Sequence, residues 1–530
     1  SVIFGHAKDG NIHFMLNEQF RDAKQLVRYR EFTEEMVQLI LEADGSLKAE
    51  HGTGRIMAPF VRRQFGDELF EVMREIKRLI DPKGFLNPGV VLADEDTDYA
   101  TDLKVAETVE EEVDRCVECG YCEPVCPSKD LTLTPRQRIV LRREIAAAEA
   151  NGDTKLAERL RQEYEYYGVD TCAVDGMCVT RCPVLINTGD LVRRLRAENQ
   201  DALGAAGWKF ASKHWGTIDK VAGKALTAAK MLPFPVVRGA TDIGRKLFGE
   251  DLVPAYKKGL SAGGAPRVPH AEANPDIVFF PACVNAMFGG VDGEGKHDPV
   301  NATQAFIRLC ERAGVKYRVP EGIDQMCCGT PWKSKGYTDG YSIMSDRVLK
   351  ALWQATDGGR IPIVCDASSC TEGLEVMRAK VAAALEHKIT HGLGAGEADY
   401  AQLKLIDSVQ FAADTLLPKL TVSAPLPSLA LHPTCSMTHL GVQPAFEKIA
   451  NAMSEQVYVP KNWGCCGYAG DRGMLHPELT QSATRAETAE LNEHEFAAYI
   501  SSNRTCEQGM TEATGHTFQN VLQLLERATR

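Results

Sequence analysis

The sequence predicts a multidomain protein of the mixed α+β and α/β classes, and three observations support this prediction. Seven cysteines lie in two runs between positions 116 and 182, within a helical pattern. From residue 271 onward, short apolar strands alternate with helical patterns in two similar copies, which is typical of α/β units. A region of strands and long helices precedes both. With 530 residues, the chain is long enough for three or four domains.

Composition and cysteine usage indicate the class and location of the protein. The chain is 44% hydrophobic and 25% charged, which is ordinary for a soluble globular protein, and its net charge of −12 disfavours nucleic acid as a partner. No apolar run approaches the ~20 residues that cross a bilayer, and no secretion signal is evident. The 17 cysteines cluster in C-x-x-C and Cys-Cys pairs, which suits metal ligation in a reducing compartment. We therefore expect a cytoplasmic protein.

Residues 1–97 form the first predicted domain, which combines strands and helices. The predicted elements are strands at Val2–Phe4 and Ile12–Leu16 and helices around Glu34–Ala43 and from about Asp67 to Ile80. The second helix ends at Asp81-Pro82-Lys83-Gly84. Because the chain opens in the middle of a strand pattern, we expect it to be the C-terminal part of a longer protein.

Residues 98–200 form the second predicted domain, an α-helical domain with two iron–sulfur clusters. The first run fits C-x2-C-x2-C-x3-C-P, which wraps a cubane cluster, and consists of Cys116, Cys119, Cys122 and Cys126 before Pro127. The second run repeats it imperfectly with Cys172, Cys178 and Cys182, and Asp175 occupies the remaining cysteine position. A zinc site or free thiols are the alternative. A helical hairpin broken at Asn151-Gly152-Asp153 brings the two runs together.

The ligand sets follow from the rule that the fourth cysteine of each run binds the other cluster. The first cluster then has Cys116, Cys119, Cys122 and Cys182 as ligands. The second has Cys126, Cys172 and Cys178, with Asp175 as the candidate fourth ligand. A carboxylate is a harder ligand than a thiolate. The second cluster is therefore either a three-iron cluster or a four-iron cluster with an aspartate or water ligand.

Residues 201–270 are predicted to be a helical connector. Lysines alternate there with Trp208, Phe210, Trp215 and Leu226. A basic amphipathic helix can lie on an anionic membrane, which would make the protein peripheral on the cytoplasmic face. The alternative is a helix that packs on its own protein.

Residues 271–420 and 421–530 are the two copies of an α/β repeat. Each copy contains Pro-x-Cys after a strand, then Cys-Cys-Gly, then Cys-x-x-Gly. The cysteines are Cys283, Cys327, Cys328 and Cys370 in the first copy and Cys435, Cys465, Cys466 and Cys506 in the second. Such clusters favour ligation of a further iron–sulfur cluster or another metal over structural thiols. Of the remaining cysteines, Cys310 is expected in the core, and Cys365 is a spare ligand candidate.

The N-terminal region contains histidines on a glycine turn, His6 and His13, followed by Glu50-His51-Gly52. Two histidines and a carboxylate make an open three-ligand site for a divalent metal, and His51 is a candidate proton acceptor. The alternative is that these histidines are structural.

These motifs, with Asp81-Pro82-Lys83-Gly84-Phe85-Leu86-Asn87-Pro88-Gly89, resemble the C-terminal end of the FAD-linked oxidase fold, the vanillyl-alcohol-oxidase-like flavoproteins that oxidise D-2-hydroxy acids. Residues 115–530 resemble the iron–sulfur half of large fused respiratory D-lactate dehydrogenases. They are more distantly similar to the cysteine-rich subunits of heterodisulfide reductase, glycolate oxidase and anaerobic glycerol-3-phosphate dehydrogenase. One departure is that the terminal cysteine pair often found in such repeats is reduced here to Cys370 and Cys506.

The resemblance implies roles for the N-terminal residues. His6, His13 and Glu50 would bind a divalent metal (Zn, Mn or Fe) near the substrate carboxylate and hydroxyl, and His51 would take the hydroxyl proton. Asn87 would contact FAD. No glycine-rich dinucleotide motif or phosphate loop is present, so we expect most FAD contacts to come from an upstream flavin domain or subunit.

The function implied is respiratory oxidation of a D-2-hydroxy acid, D-lactate to pyruvate first, with electrons passing from FAD through the clusters to a quinone or another acceptor. D-2-hydroxyglutarate and glycolate are alternative substrates, and a homo-oligomer is an open possibility. An alternative of another class is a non-catalytic iron–sulfur electron-transfer subunit that docks a separate dehydrogenase. The Glu50-His51 motif discriminates, because an electron carrier does not need it.

Overall fold

The computed structural model describes residues 2–16, 20, 22–48, 50–93, 98–101, 103, 107–249, 253–257, 259–289, 300–390 and 399–530. The chain divides into two compact units. The first contains residues 1–119 and 142–157, and the second contains residues 120–141 and 158–530. The five domain boundaries drawn from the sequence stay predictions.

The first unit begins with a β-hairpin. Strands β1 (Val2–Phe4) and β2 (His13–Met15) pair antiparallel, with Ile3 opposite Phe14 and Phe4 opposite His13. Both strands lie within one residue of the predicted positions. The hairpin therefore brings a histidine from β2 next to the turn that contains His6.

Two long helices follow, α1 (Ala23–Glu42) and α2 (Val61–Ile80). Asp22 caps α1 by accepting a hydrogen bond from the Gln25 N–H at 2.8 Å. Helix α2 is interrupted at Gly66, whose φ of 79° is non-helical, so the predicted start near Asp67 marks an internal break. Val37, Met57 and Phe60 form the buried core beneath these helices.

A helical segment carries the second cysteine run. Its elements are α3 (Pro135–Ala150), α4 (Thr154–Tyr164), a π-helical turn (Glu165–Asp170), α5 (Met177–Arg181) and α6 (Thr188–Glu198). Pro135 opens α3, as predicted from its preference for the first helical position. The π-helical turn ends two residues before Cys172, and its carbonyl groups accept hydrogen bonds from two arginines, described below.

The connector consists of α7 (Ala202–Lys213), α8 (Trp215–Lys230) and α9 (Phe234–Phe248). Trp215 is buried, and its ring centroid lies 4.9 Å from that of Trp332 in the first repeat. The Trp332 indole N–H donates a hydrogen bond to the Trp208 backbone carbonyl at 2.9 Å. Helices α7 and α8 thus pack on their own protein, which is the second of the two interpretations of this basic stretch. No described helix is long and apolar enough to cross a bilayer.

The two repeats have the same parallel sheet topology. The first contains β3 (Ile277–Phe280), α10 (Cys283–Met287), α11 (Ala302–Arg312), β4 (Tyr317–Arg318), α12 (Thr330–Lys335), α13 (Thr338–Ala355), β5 (Ile363–Cys365), α14 (Ser368–Thr390), β6 (Leu405–Asp407) and α15 (Ser408–Phe411). Its strand order is β4-β3-β5-β6. All three strand pairs are parallel.

The second repeat contains β7 (Leu429–Leu431), α16 (Cys435–Leu440), α17 (Gln443–Met453), β8 (Val457–Tyr458), α18 (Arg472–Leu475), α19 (Pro477–Leu491), β9 (Ala498–Ser501), α20 (Arg504–Thr514), β10 (Phe518–Asn520) and α21 (Val521–Ala528). Its order is β8-β7-β9-β10, again all parallel. In both sheets the first strand lies between the second and the third. The chain therefore changes the direction in which it adds strands at the boundary between the first and third strands. The carboxyl edge at such a point is where open α/β sheets bind ligands, and the repeat cysteines lie there.

Candidate functional site

Three histidines surround one carboxylate in the first unit. His13 begins β2, and His6 follows β1 directly after Gly5. Glu50 Oε1 lies 3.2 Å from His6 Nε2, 2.5 Å from His13 Nε2 and 3.3 Å from His51 Nε2. The structure therefore brings together the four residues that the sequence analysis selected in this region.

The turn between β1 and β2 holds His6 in position. The His6 backbone N–H donates to the Asn11 side chain at 2.6 Å, and Gly10 adopts a φ of 68°. A Cβ atom at Gly5 would lie 2.1 Å from the Asn11 carbonyl oxygen, so a larger residue would break the turn. The glycines of this motif thus shape the loop that presents His6.

A divalent cation fits this group of side chains. One ligand atom from each of His6, His13 and Glu50 lies within 4.8 Å of the other two. Desolvation acts to raise the pKa of Glu50, but the neighbouring histidines outweigh it and lower the pKa below its usual value. The carboxylate is therefore ionised and available as a ligand. Two imidazoles and one carboxylate leave coordination positions open for a substrate.

His51 has an unusual backbone conformation. Its φ of 60° lies in the left-handed region, which is uncommon for residues other than glycine. Strain of this kind gathers at functional sites. The His51 side chain is 73% exposed, so this side of the four-residue group faces solvent in the first unit.

Apolar side chains are exposed on the hairpin beside these histidines. Ile3 and Phe14, which are paired across the two strands, are 69% and 42% exposed, and Ile12 is 64% exposed. Adjacent apolar groups left in water are typical of a surface that binds another protein or domain.

Asn87 lies on the surface, in the loop that follows α2. Asp81 organises this loop by accepting hydrogen bonds from the Phe85 N–H at 2.9 Å and the Leu86 N–H at 2.7 Å. The hydrogen bond from Lys77 and these backbone bonds lower the pKa of Asp81 to about 2. Asn87 itself has a φ of 43°, and its side chain is exposed. It is accessible to a ligand or partner, as its predicted contact with FAD requires.

The first cysteine run is organised in the first unit by Arg143. Its guanidinium donates to the carbonyl of Cys116 at 3.1 Å, to the carbonyl of Asp114 at 3.2 Å and to the Glu118 carboxylate at 2.7 Å. The Glu118 N–H in turn points to Cys116 Sγ at 3.4 Å. Cys119 belongs to the same unit, whereas Cys122 and Cys126 belong to the second. The ligand set of the first cluster stays a prediction.

In the second unit, a buried arginine lies beside Cys126. Arg138 is 1% exposed and donates to Cys126 Sγ at 3.7 Å, to the Ser128 hydroxyl at 2.9 Å and to the Gly168 carbonyl at 2.7 Å. Burial raises the pKa of Cys126, and Arg138 partly opposes this shift. None of these three contacts supplies a full negative charge, so the site has a buried cation that an anionic cluster would neutralise.

The second run lies near Cys126. Cys172 interacts electrostatically with both Cys126 and Cys178, and all three are buried. The Thr188 hydroxyl donates to Cys178 Sγ at 3.3 Å, although burial still raises the pKa of that thiol to about 12. Cys182 is half-buried at the end of α5. Three thiols of the predicted second cluster are thus neighbours, and their burial and the nearby arginine fit a cluster.

Asp175 faces two groups of cysteines. It interacts electrostatically with Cys126 and Cys178 of the helical segment. Its carboxyl is also hydrogen-bonded to Cys465 of the second repeat. Desolvation raises the pKa of Asp175, against the lowering effects of Cys465 and His439. Its predicted role as a ligand of the second cluster stays open, and its contact with the repeat was not foreseen.

The four cysteines of the first repeat gather at the carboxyl edge of its sheet. Cys283 Sγ lies 3.5 Å from Cys327 Sγ, well beyond the ~2.05 Å of a disulfide. Hydrogen bonds from Cys327 and Cys370 lower the pKa of Cys328, although burial opposes them. All 17 cysteines of the chain are free thiols. Buried thiols that share a negative charge fit a metal or an iron–sulfur cluster.

The second repeat reproduces this arrangement. Cys435 begins α16, and Cys465 is hydrogen-bonded to both Cys435 and Cys466. Hydrogen bonds from Cys465 and Cys506 lower the pKa of Cys466. Gly467, like Gly329 of the first repeat, has a positive φ (69° and 81°), which the Cys-Cys-Gly turn requires.

Arginines are the functional residues that sequence reasoning missed in the helical segment. Arg196 on α6 donates to the Cys172 carbonyl at 2.9 Å, to the Val169 carbonyl at 2.7 Å and to the Ser334 carbonyl of the first repeat at 2.8 Å. With Arg138, it fixes the loop before and through the second run. In the sequence, the two residues were visible only as arginines on helices near the cysteine runs. Arginine is common on helices that face solvent, so this position did not indicate a role.

Family models match three successive parts of the chain. Residues 1–91 match "FAD linked oxidases, C-terminal domain", residues 112–186 match "4Fe-4S dicluster domain", and residues 277–375 and 429–511 match "Cysteine-rich domain". The chain therefore contains the C-terminal domain of an FAD-linked oxidase, a dicluster domain and two cysteine-rich domains. This confirms the predicted fold class and the resemblance on which it rested.

Similar proteins include several 2-hydroxy-acid dehydrogenases. The D-lactate dehydrogenase of Archaeoglobus fulgidus is 36% identical over 93 residues, 17% of this chain and 20% of the relative. The glycolate oxidase subunit GlcD of Bacillus subtilis is 32% identical over 90 residues, 17% and 19% of the two chains. The D-2-hydroxyglutarate dehydrogenase of Haemophilus influenzae is 25% identical over 236 residues, 35% and 23%. The matched segments cover about a fifth of these relatives.

Proposed function

Because this chain joins the C-terminal domain of an FAD-linked oxidase to a dicluster domain and two cysteine-rich domains, we propose that it serves in the oxidation of a D-2-hydroxy acid. The reaction we propose is D-lactate to pyruvate, with electrons delivered to a quinone or another respiratory acceptor. The observation that carries this proposal is the meeting of His6, His13 and His51 at Glu50 Oε1. A protein that only carries electrons has no use for such a group.

The residues of the first unit bind and orient the substrate. His6, His13 and Glu50 would hold a divalent cation, Zn, Mn or Fe, which would supply Lewis-acid chemistry for the carboxylate and hydroxyl of the acid. His51 accepts the hydroxyl proton at Nδ1, because its Nε2 faces the ionised Glu50 carboxylate at 3.3 Å and therefore carries the ring proton. The ionised Glu50 stabilises the imidazolium that results. When bound, FAD supplies two-electron chemistry and the clusters supply one-electron transfer.

The flavin-binding partner covers the exposed hairpin. Ile3, Ile12 and Phe14 provide the apolar contact, and burying them would also exclude water from His51. Asn87, on the loop held by Asp81, contacts the flavin. The FAD-binding domain can be part of the same polypeptide or a separate subunit.

The cysteines of the two runs and of the repeats carry the electrons onward. Cys126, Cys172 and Cys178 hold the second cluster, with Arg138 compensating its negative charge. Cys116, Cys119, Cys122 and Cys182 hold the first. The contact of Asp175 with Cys465 links the second cluster to the metal centre of the second repeat.

A peripheral membrane contact, with access to a quinone, is supported by the connection between α8 and α9. Met231 and Leu232 are 82% and 54% exposed there, next to Lys230. A basic and apolar tip of this kind binds anionic lipid. Co-sedimentation with phosphatidylglycerol vesicles should fall when Met231 and Leu232 are both replaced by Ser, and unchanged co-sedimentation would exclude this contact.

D-2-hydroxyglutarate is the second candidate substrate. The similarity to the D-2-hydroxyglutarate dehydrogenase of Haemophilus influenzae extends over 236 residues, against 93 for the D-lactate dehydrogenase of Archaeoglobus fulgidus, although the identity is lower. Glycolate remains the third.

Steady-state assays test the proposal. The chain, with its flavin-binding partner and an artificial electron acceptor, should oxidise D-lactate with a higher kcat/KM than D-2-hydroxyglutarate or glycolate, and should not oxidise L-lactate. A preference for D-2-hydroxyglutarate would change the substrate and keep the mechanism. Reduction by none of these acids would favour the alternative, an electron-transfer subunit without substrate chemistry.

A further inference from the structure

The two repeats differ at one pair of matched positions at the carboxyl ends of their two central strands. In the first repeat, Phe280 of β3 is paired with Cys365 of β5. The Pro-x-Cys and Cys-x-x-Gly motifs match Phe280 with His432 and Cys365 with Ser501 in the second repeat. His432 and Ser501 are neighbours in the same way, because the Ser501 hydroxyl donates to the His432 carbonyl at 2.9 Å. At this pair, the first repeat has one side chain that can bind a metal, Cys365 at the end of the third strand, and the second repeat has His432 directly after its first strand.

His432 has the surroundings of a metal ligand. Its side chain is fully buried, and Nδ1 lies 2.8 Å from the buried carboxylate of Glu487. Nε2, the ring nitrogen on the other side, is buried and lies within 4.8 Å of Cys466 Sγ and Cys506 Sγ, and His432 interacts directly with Cys466. A carboxylate that accepts the N–H of one ring nitrogen leaves the other nitrogen as an electron-pair donor, as in carboxylate–histidine–metal arrangements.

Cys365 faces the equivalent pair in the first repeat. Its thiol is hydrogen-bonded to Cys370 and interacts electrostatically with Cys328. Cys328 and Cys370 match Cys466 and Cys506 in the repeat motifs. The side chains of Cys365 and His432 therefore approach the same corner of the two sites.

The glycines of the two Cys-x-x-Gly motifs, Gly373 and Gly509, have no room for a larger side chain. A Cβ atom at Gly373 would lie 3.1 Å from the Cys328 carbonyl oxygen and 2.7 Å from the Thr330 hydroxyl. At Gly509 it would lie 2.9 Å from the ring of Tyr468. The helices α14 and α20 thus pack closely on the Cys-Cys-Gly turns, and an extra donor has to come from the sheet.

We propose that His432 is a ligand of the metal centre in the second repeat and that Cys365 takes the matching place in the first. The first centre then has five thiolates, and the second has four thiolates and an imidazole positioned by Glu487. An imidazole is neutral where a thiolate is charged, and replacing thiolates by histidine raises the reduction potential of iron–sulfur centres. The second centre therefore accepts electrons at a higher potential than the first. This inference rests on the proposed metal ligation by the repeats and is independent of the substrate.

Pulsed electron paramagnetic resonance tests the histidine ligand. The complete chain, reconstituted anaerobically with iron and sulfide and partly reduced, should show the nitrogen coupling of a directly bound imidazole, which 15N-histidine labelling identifies. His432→Gln should lose this coupling. His432→Cys should keep the iron content and lower the midpoint potential of the second centre. His494→Gln, which changes an exposed histidine of the same repeat, should leave both unchanged.

Cys365→Ala is compared with Cys310→Ala, a buried core cysteine outside the site. Only Cys365→Ala should reduce the iron content or shift the potential of the first centre. The inference is wrong if both His432→Gln and His432→Cys have the nitrogen coupling, the iron content and the midpoint potential of the unchanged chain. The repeats would then bind metal through their cysteines alone. If Cys465→Ser with Cys466→Ser removes no iron or zinc at all, metal ligation by the second repeat fails and the histidine ligand fails with it. Substrate oxidation is not needed for any of these readings.

Discussion

The Asp175 carboxyl is hydrogen-bonded to Cys465, which connects the second cysteine run of the helical segment to the second repeat. Asp175 also interacts electrostatically with Cys126 and Cys178. One buried carboxyl is therefore shared by two groups of thiols that the sequence separates by almost 300 positions. The residue that interrupts the cysteine run thus connects the two groups of thiols that we propose as metal ligands.

Replacing Asp175 by Asn should raise the reduction potentials of both the second cluster and the centre of the second repeat. The substitution removes a buried group that can carry a negative charge, which makes the addition of an electron easier, and a shift on the order of 60 mV corresponds to a tenfold change in a one-electron equilibrium. Asp175→Cys should instead lower the potential of the second cluster. Potentiometric titration followed by electron paramagnetic resonance measures both. Asp190→Asn, on the exposed surface of α6, is the control, and a shift in neither centre would show that Asp175 influences no bound metal.

Removing the proton acceptor should slow substrate oxidation selectively. In the chain combined with its flavin-binding partner, His51→Asn should reduce the rate of flavin reduction by D-lactate by about 100-fold or more, the usual effect of losing a positioned base. Metal and iron content should not change. Stopped-flow absorbance measures the rate, with His494→Asn as the control. A rate equal to that of the unchanged protein would mean that His51 is structural.

The divalent-metal site can be tested in the chain alone. Mn2+ is the probe, because it prefers oxygen ligands such as the Glu50 carboxylate over the thiolates elsewhere in the protein. His13→Ala and Glu50→Gln should each weaken Mn2+ binding by more than ~100-fold. This exceeds the loss expected when a residue that only hydrogen-bonds a metal ligand is replaced. Loss of free Mn2+ signal in electron paramagnetic resonance measures binding, and His214→Ala is the control. Equal binding by all four proteins would place the cation elsewhere.

Asp407 should make part of the first repeat pH-sensitive. Burial raises its pKa from 3.8 to about 6 in the folded state, although the Val409 N–H opposes the shift. Between pH 3.8 and about pH 6, the native state therefore binds more protons at Asp407 than the locally unfolded state does. The stabilisation by protonated Asp407, at most about 3 kcal/mol, is full below pH 4 and is lost as the pH rises through 6.

Hydrogen exchange of the amides of β6 and α15 measures this dependence. After correction for the intrinsic exchange rate, protection should fall between pH 5 and pH 7 in the unchanged chain and stay level in Asp407→Asn. Asp414→Asn, in the following turn, is the control because its carboxyl is exposed and has a lowered pKa. The same pH profile in the unchanged chain and in Asp407→Asn would contradict the assigned titration.

Patterns with short spacing predicted much of the fold. The repeated Pro-x-Cys, Cys-Cys-Gly and Cys-x-x-Gly motifs predicted two α/β units, and their sheets have the same strand order. The hairpin of the first unit was also predicted, because its strands flank a glycine turn. Helix α2 was predicted only from about Asp67 onward, since the break at Gly66 also interrupts the sequence pattern.

Contacts between distant segments could not be predicted in the same way. His432 precedes a Pro-x-Cys motif, but its role depends on Glu487, which lies on α19. Arg138 was indistinguishable from an exposed helical arginine until the fold buried it. The Asp175 contact with Cys465 likewise depends on how the helical segment packs against the second repeat.

Freeze-quench electron paramagnetic resonance tests the central claim, that electrons from a D-2-hydroxy acid reach the cysteine-bound centres of this chain. The chain is combined with its flavin-binding partner, mixed anaerobically with D-lactate, D-2-hydroxyglutarate, glycolate or L-lactate, and frozen at successive times. We expect signals of reduced iron–sulfur clusters to grow after a D-2-hydroxy acid, with D-lactate most effective, and to be delayed about 100-fold in His51→Asn. Reduction of the flavin without any reduced cluster signal, or cluster reduction that is equally fast in His51→Asn, would contradict the account.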